Sequence, residues 1–402
     1  MELLNKAACQ TIVTTMLAKP AKDDAGEAEE QSSGRVPLFK RRRIEEEKKK
    51  KADSESDVRQ LIQDLMDSLG VPASLSDETK KELITPEHFM VMACTTISQH
   101  HAPFRDLFRE VGGLTVCCNI LTDSLLSISL DTKGVTTQVV PTWRLVRDLA
   151  LIETLTHMNQ ANQTKLLEEH PDIMRSLVDL THRLTGALRW LLKNAKDTTE
   201  TVEEQQRRLG SCRLSALKTL VNLTNHNPVG CKQFGEAEGV SILLELLHWS
   251  TGKAGPEDHD CLTLGLGILI NCTENNSFNV ISLSSAIIIG GSEALEFLVS
   301  IFLGRIEEDK GRIAFDKMPV ENLVIAAYTS VLLGCVLKDR ADLLERVELA
   351  LEGRGLKALG QVLEYFIVCH EEAAKGRGPQ TEVDSLAEIL DVLQKLIRSH
   401  AK

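Results

Sequence analysis

Apolar positions along this chain recur at helical intervals of three and four residues, and one phrase of that pattern is written twice. Residues 217–227 read LKTLVNLTNHN and residues 266–276 read LGILINCTENN. Leu220, Asn222, Thr224 and Asn227 thereby fall on Leu269, Asn271, Thr273 and Asn276 at a constant offset of 49 residues. A glycine break and a further apolar helix follow each copy, CKQFGEAEGVSILLELLHW after the first and SSAIIIGGSEALEFLVSIF after the second. A weaker copy, LIETLTHMN, stands at 151–159, and an older one runs over 96–121. Two tail pieces, YTSVLLGCVL at 328–337 and RGLKALGQVLEYF at 354–366, match the later half of the unit. A helical repeat of about 40–50 residues predicts an all-α, armadillo/HEAT-like helical-repeat solenoid, because one such unit cannot bury its own apolar face.

Order is expected from Val58, where Val58, Leu61, Ile62, Leu65 and Leu69 lie on one helical stripe that Gly70-Val71-Pro72 ends. Thr85-Pro86 reads as an N-cap with proline at the first helical position. Polar insertions at 122–141, 193–210, 250–260, 304–320 and 371–382 are expected as surface loops. The stripe Leu386, Ile389, Leu390, Leu393, Leu396 and Ile397 predicts a final capping helix over 383–400. Gly112, Gly239, Gly291 and Gly355 recur before the last helix of successive units, where a tight turn is needed.

Before Val58 the chain changes character. Residues 21–57 are Lys, Glu, Asp, Ser and Gly with almost nothing apolar, so residues 1–57 are expected as a mostly disordered tail and 58–402 as the repeat domain. Two basic clusters, Lys40-Arg41-Arg42-Arg43 and Lys48-Lys49-Lys50-Lys51, sit in that tail and have the form an import receptor reads, against the plainer reading of a solvated mixed-charge segment. The tail is charge-balanced, with 12 Lys+Arg and 12 Asp+Glu, so the body holds the whole net charge of −12. An acidic body disfavours direct nucleic-acid binding, which needs cations to displace counterions. No apolar run reaches the roughly 18 residues of a membrane span. The ten cysteines lie mostly within apolar helical runs and include no C-x-x-C pair, as expected of reduced thiols.

Catalytic chemistry finds no foothold in the pattern. Gly265 and Gly267 lack the third glycine and the preceding strand of a dinucleotide loop, and Thr251-Gly252-Lys253 lacks the upstream glycine of a phosphate loop. The histidines make no helical His-x-x-x-His pair, so no cofactor and no metal site is expected. What remains is the exposed turn after each repeat phrase. There Asn225, His226, Glu274, Asn275, Asn276 and Asn279 are the candidate partner-binding residues. The competing reading for these turns is capping, since Asn and Thr at a helix end bond free carbonyls and Asn tolerates the left-handed conformation.

Three segments carry a family resemblance: LVNLTNHN at 220–227, LGLGILIN with Glu274 and Asn279 over 264–279, and AAYTSVLLGCVL at 326–337. In these the chain resembles the conserved C-terminal domain of the wings apart-like proteins, the cohesin-release factors, over roughly residues 58–400. The resemblance implies a non-enzymatic, nuclear, chromatin-associated regulator. It would bind the cohesin complex, at its ATPase heads and HEAT-type accessory subunits, and promote release from chromatin. The tail contains no Phe-Gly-Phe motif of the kind animal members use to engage those accessory subunits. Two other classes stay open on the residues alone: an armadillo-repeat adaptor for another protein complex, and an enzyme whose site is not recognised.

Overall fold

Thr85 opens the first long helix as its sequence predicts, its Oγ1 accepting from the His88 N–H at 3.1 Å with Pro86 at the first helical position. The computed structural model describes residues 76–83, 85–128, 139–194, 202–252, 256–309, 312–374 and 381–400. The charged tail, its two basic clusters and the helix expected from Val58 lie outside the described residues.

Among the described residues, a short α1 (Asp77–Leu83) leads into five units of three helices. Unit 1 holds α2 (Pro86–His100), α3 (Ala102–Glu110) and α4 (Gly113–Ser127), and unit 2 holds α5 (Val139–Thr156), α6 (Gln160–Glu169) and α7 (Ile173–Asn194). Unit 3 comprises α8 (Val202–Thr224), α9 (Pro228–Glu236) and α10 (Gly239–Thr251). Unit 4 has α11 (Pro256–Thr273), α12 (Ser277–Ser285) and α13 (Ala294–Leu303). A small antiparallel hairpin, β1 (Glu308–Asp309) with β2 (Arg312–Ile313), precedes unit 5, which has α14 (Val320–Asp339), α15 (Leu344–Ala350) and α16 (Leu356–Ala374). The final helix α17 (Thr381–His400) packs on α14 and α16 as a cap. The first helices of the units pack in a row, α2 on α5 on α8 on α11 on α14. Their leucines make one continuous core, each fully buried side chain contributing about 1.5–3 kcal/mol.

The repeat phrase is a helix end and a helix start in eleven residues. Thr156, Thr224 and Thr273 return their hydroxyls to the carbonyl four residues back, at 2.7, 2.9 and 2.8 Å. Met158, His226 and Asn275 then take the left-handed conformation, with φ of 48°, 50° and 57°. Asn159, Asn227 and Asn276 follow, their side chains accepting from the backbone N–H three residues on, at 3.0, 3.3 and 3.1 Å. The capping reading therefore holds with its direction corrected. These asparagines cap the start of the next helix, and the left-handed residue is the one before them. Asn222 and Asn271 act between units. Asn222 donates Nδ2 to Glu153 O at 2.9 Å, and Asn271 donates to Thr224 Oγ1 at 3.2 Å.

Two further expectations change. Gly112, Gly291 and Gly355 do supply positive φ, at 82°, 86° and 66°. In unit 3, however, Glu238 takes the left-handed turn at 61°, and Gly239 is needed for a close approach, because a Cβ there would stand 2.5 Å from the Phe234 ring. The loop expected over 193–210 ends early. Helix α8 starts at Val202, and Gln205, Arg208 and Leu209 are buried within it. Gly265 is a packing glycine, with Leu247 Cδ2 only 2.9 Å from where its Cβ would lie. One described helix, α14, is long and apolar enough to cross a membrane, with a mean hydropathy of 1.8, but 72% of that window is buried inside the repeat stack.

Candidate protein-interaction site

Four of the six expected contact residues come together. His226, Glu274, Asn275 and Asn276 line one cleft of about 260 Å³ between the turns of units 3 and 4, with Thr224, Asn227, Pro228, Cys231 and Asn271 completing its walls. His226 and Asn275 are exposed because the left-handed residue of each turn projects from the stack, whereas Glu274 and Asn276 are half-buried. Asn225, half-buried at the start of its turn, is not part of the lining.

Asn279 is not at the surface at all. Helix α12 has already begun at Ser277, and its first turn carries Asn279 inward, where Nδ2 donates to Cys231 O and Cys272 O, both at 2.9 Å. The expectation that the chain had left the core by this position is therefore corrected. The floor of the cleft is equally ordered. Cys231 Sγ donates to Thr224 O and Asn271 O at 3.2 Å each, and burial pushes the neighbouring Cys272 thiol well above its ordinary range.

Beside the cleft the same edge becomes apolar. Val229 and Phe278 each stand two residues after a capping asparagine, so the repeat places them at equivalent points of units 3 and 4, and both are exposed, Phe278 at 60%. Ile281 lies one turn beyond Phe278 on α12 and is 53% exposed. Neither Val229 nor Phe278 stood out in the sequence, although their shared offset from Asn227 and Asn276 was the signal that would have found them. A polar notch flanked by an aromatic step is chemically suited to hold a protein segment, by hydrogen bonds to the turns and apolar contact beside them.

The unit boundaries along this edge are built differently. At the first three, the eighth residue after one cap position meets the third residue after the next. Between units 1 and 2 that pair is Arg109 and Asn162, with Nη1 donating to Oδ1 at 2.7 Å. Asp106 adds a second link by accepting from Asn159 Nδ2 at 3.1 Å, and it pairs with Arg109 at 2.8 Å. The Asn159 hydrogen bond, helped by Arg109, holds the Asp106 carboxyl below the usual carboxylate range. Between units 2 and 3 the pair is Leu167 and Gly230, an apolar contact. Between units 3 and 4 it is Gly235 and Asn279, where a Cβ on Gly235 would stand 2.0 Å from Asn279 Oδ1. There Asn279 Oδ1 and Asn227 Nδ2 have no hydrogen-bond partner among the described residues.

A family model described as wings apart-like protein regulation of heterochromatin matches residues 37–279 of the chain, which contain both full copies of the repeat phrase and the whole cleft. Two curated relatives from Arabidopsis thaliana are similar. Wings apart-like protein 1 is 27% identical over 218 residues, which is 43% of this chain and 23% of that protein. Wings apart-like protein 2 is 25% identical over 205 residues, 40% of this chain and 24% of that protein. The similarity thus spans about a quarter of the length of these relatives. Among solved structures, a designed armadillo repeat protein aligns with a TM-score of 0.43 at 16% identity, covering 79% of this chain and 98% of that one. A second, in complex with a (KR)4 peptide, aligns with a TM-score of 0.41 at 14% identity, covering 80% and 99%. At these TM-scores the solenoid assignment rests on the chain's own five units.

Proposed function

The chain belongs to the wings apart-like family, and from that premise we propose that it is a nuclear, chromatin-associated regulator that binds cohesin and promotes its release from chromatin. The observation that carries this reading is the family match over 37–279. On this reading the work is done by binding. ATP turnover belongs to the heads of cohesin, and the solenoid supplies a surface that engages the heads and the HEAT-type accessory subunits and biases them toward opening. The edge formed by His226, Glu274, Asn275, Asn276 and Phe278 is the proposed contact, because it joins exposed polar turns to an exposed aromatic side chain in consecutive units.

The test is a pull-down of cohesin subunits with the full chain, paired with fluorescence recovery of chromatin-bound cohesin in cells. A variant with Glu274→Lys and Phe278→Ser changes two side chains outside the core and is expected to fold, as most surface substitutions do. It should lose cohesin and slow its turnover. Unchanged capture and turnover would remove this edge from the contact surface. A parent chain that captures another complex and no cohesin would instead establish the adaptor reading.

A further inference from the structure

A second cleft, of about 970 Å³, lies outside the family-matched segment, between the β1–β2 hairpin with its following turn and the loop joining α15 to α16. Its charge is the opposite of the molecule's. Arg312 from β2, Arg354 from the loop before α16 and Lys357 from the first turn of α16 line it, and among the described lining residues Glu352 is the one acid, on a chain whose net charge is −12. Arg312 and Lys357 are exposed, whereas Arg354 Nη1 shares Glu352 at 3.3 Å. Helix α16 begins at Leu356, so the positive end of its dipole adds to the same field. The lining is not purely polar. Ile313, Phe315 and Ala358 supply apolar contact surface, and the Phe315 ring is held by stacking on Tyr365 at 4.3 Å and 16°.

Three cations around an apolar lining define a ligand with acidic groups spaced along a chain that also carries apolar side chains. We propose that this cleft is a docking site for an extended acidic segment of a partner protein. Acidic residues of that segment pair with Arg312, Arg354 and Lys357, displacing the weak exposed Glu352 contact, and an intervening apolar side chain lies against Ile313 and Phe315. On a chain of net charge −12 these clustered cations attract such a segment, with the two basic clusters at 40–43 and 48–51 as the competing stretches. The field therefore contributes more to where the segment lands than to how tightly it is held.

The probe is a fluorescein-labelled peptide of alternating Glu and Leu, titrated with the full chain and followed by fluorescence anisotropy. Saturable binding that weakens as salt rises is expected. The double reversal Arg312→Glu with Lys357→Glu should weaken it by ~10-fold or more and should confer binding of the matching Lys and Leu peptide. Thermal melting verifies folding, and Arg312→Gln with Lys357→Gln serves as a milder pair that should also weaken binding. The proposal is overturned if the parent shows no saturable binding, or if folded reversal variants bind the Glu and Leu peptide as the parent does. It is equally overturned if duplex DNA displaces the peptide at lower concentration than unlabelled peptide, which would assign the cleft to nucleic acid.

Discussion

Replacing Asn279 by Ala tests the buried side of the repeat turn. The side chain is fully buried, and its Nδ2 is the donor for Cys231 O and Cys272 O at 2.9 Å each. Cys272 O lies in the last turn of α11, where carbonyls have no helical partner, so it loses a needed hydrogen bond. Cys231 O sits within α9 and keeps its place in a helical ladder. An unsatisfied buried group costs about 1–3 kcal/mol, with the first carbonyl toward the top of that range and the second toward the bottom. Against this, Asn279 Oδ1 already lacks a donor, and removing it recovers about 1 kcal/mol. The net expectation is a loss of about 2–4 kcal/mol. Because solenoids unfold in local blocks, urea denaturation should be read together with hydrogen exchange, and the faster exchange should be confined to α9, α11 and α12. A variant within about 0.5 kcal/mol of the parent, the size of an ordinary surface change, would refute the reasoning.

Arg109→Leu should cost about 2 kcal/mol by denaturation, because it strips the donor from the buried Asn162 Oδ1 and the partner from Asp106; no change would mean the link between units 1 and 2 adds nothing. His88 is buried, and burial together with Arg147 and Arg144 lowers its pKa from 6.5 to about 4. The unfolded chain therefore takes up the proton first, so stability is full above pH 6.5 and falls between pH 6.5 and 4. His88→Phe should flatten that slope by about 2 kcal/mol after allowance for solvent screening, and an unaltered pH profile would count against it. Gly230→Ala puts a Cβ 2.0 Å from Leu223 O, a backbone atom, and should destabilise by about 3 kcal/mol or leave the protein insoluble; a normal melting curve would contradict the packing described. A fluorescent fusion carrying Lys40, Arg41, Arg42 and Arg43 as Ala should move to the cytoplasm, and continued nuclear accumulation would exclude that cluster as the import signal.

The repeat phrase made the helix row legible because its apolar spacing, its threonines and its asparagines all repeat in register. It could not separate Asn276 from Asn279. Both are asparagines of one turn, and what sends the second inward is the start of α12 at Ser277 together with the bare surface of Gly235, 44 residues earlier in the chain. A similar blindness put Gly239 in the wrong role. Glycine answers both to a left-handed turn and to a crowded ring, and only the Phe234 contact decides which. The early start of α8 was hidden because Gln205 and Arg208 look like loop residues until they are buried. The basic cleft was out of reach for a different reason. Arg312 and Lys357 belong to separate elements, and their adjacency exists only once the hairpin folds against α16.

The unequal boundaries have a mechanical consequence. Five stacked units behave as springs in series, and a pull on the two ends is carried equally by every junction while the extension collects in the most compliant one. The first junction is tied by an arginine, an aspartate and two asparagines, so separating it breaks charge-assisted hydrogen bonds. At the third junction Gly235 offers Asn279 Oδ1 no side chain, and the ties are neutral hydrogen bonds, from Asn279 Nδ2 to Cys231 O, from Asn271 Nδ2 to Thr224 Oγ1 and from Cys231 Sγ to Asn271 O. Of these two junctions the third therefore yields to a load along the array more readily than the first, beside the notch lined by His226, Glu274 and Asn275.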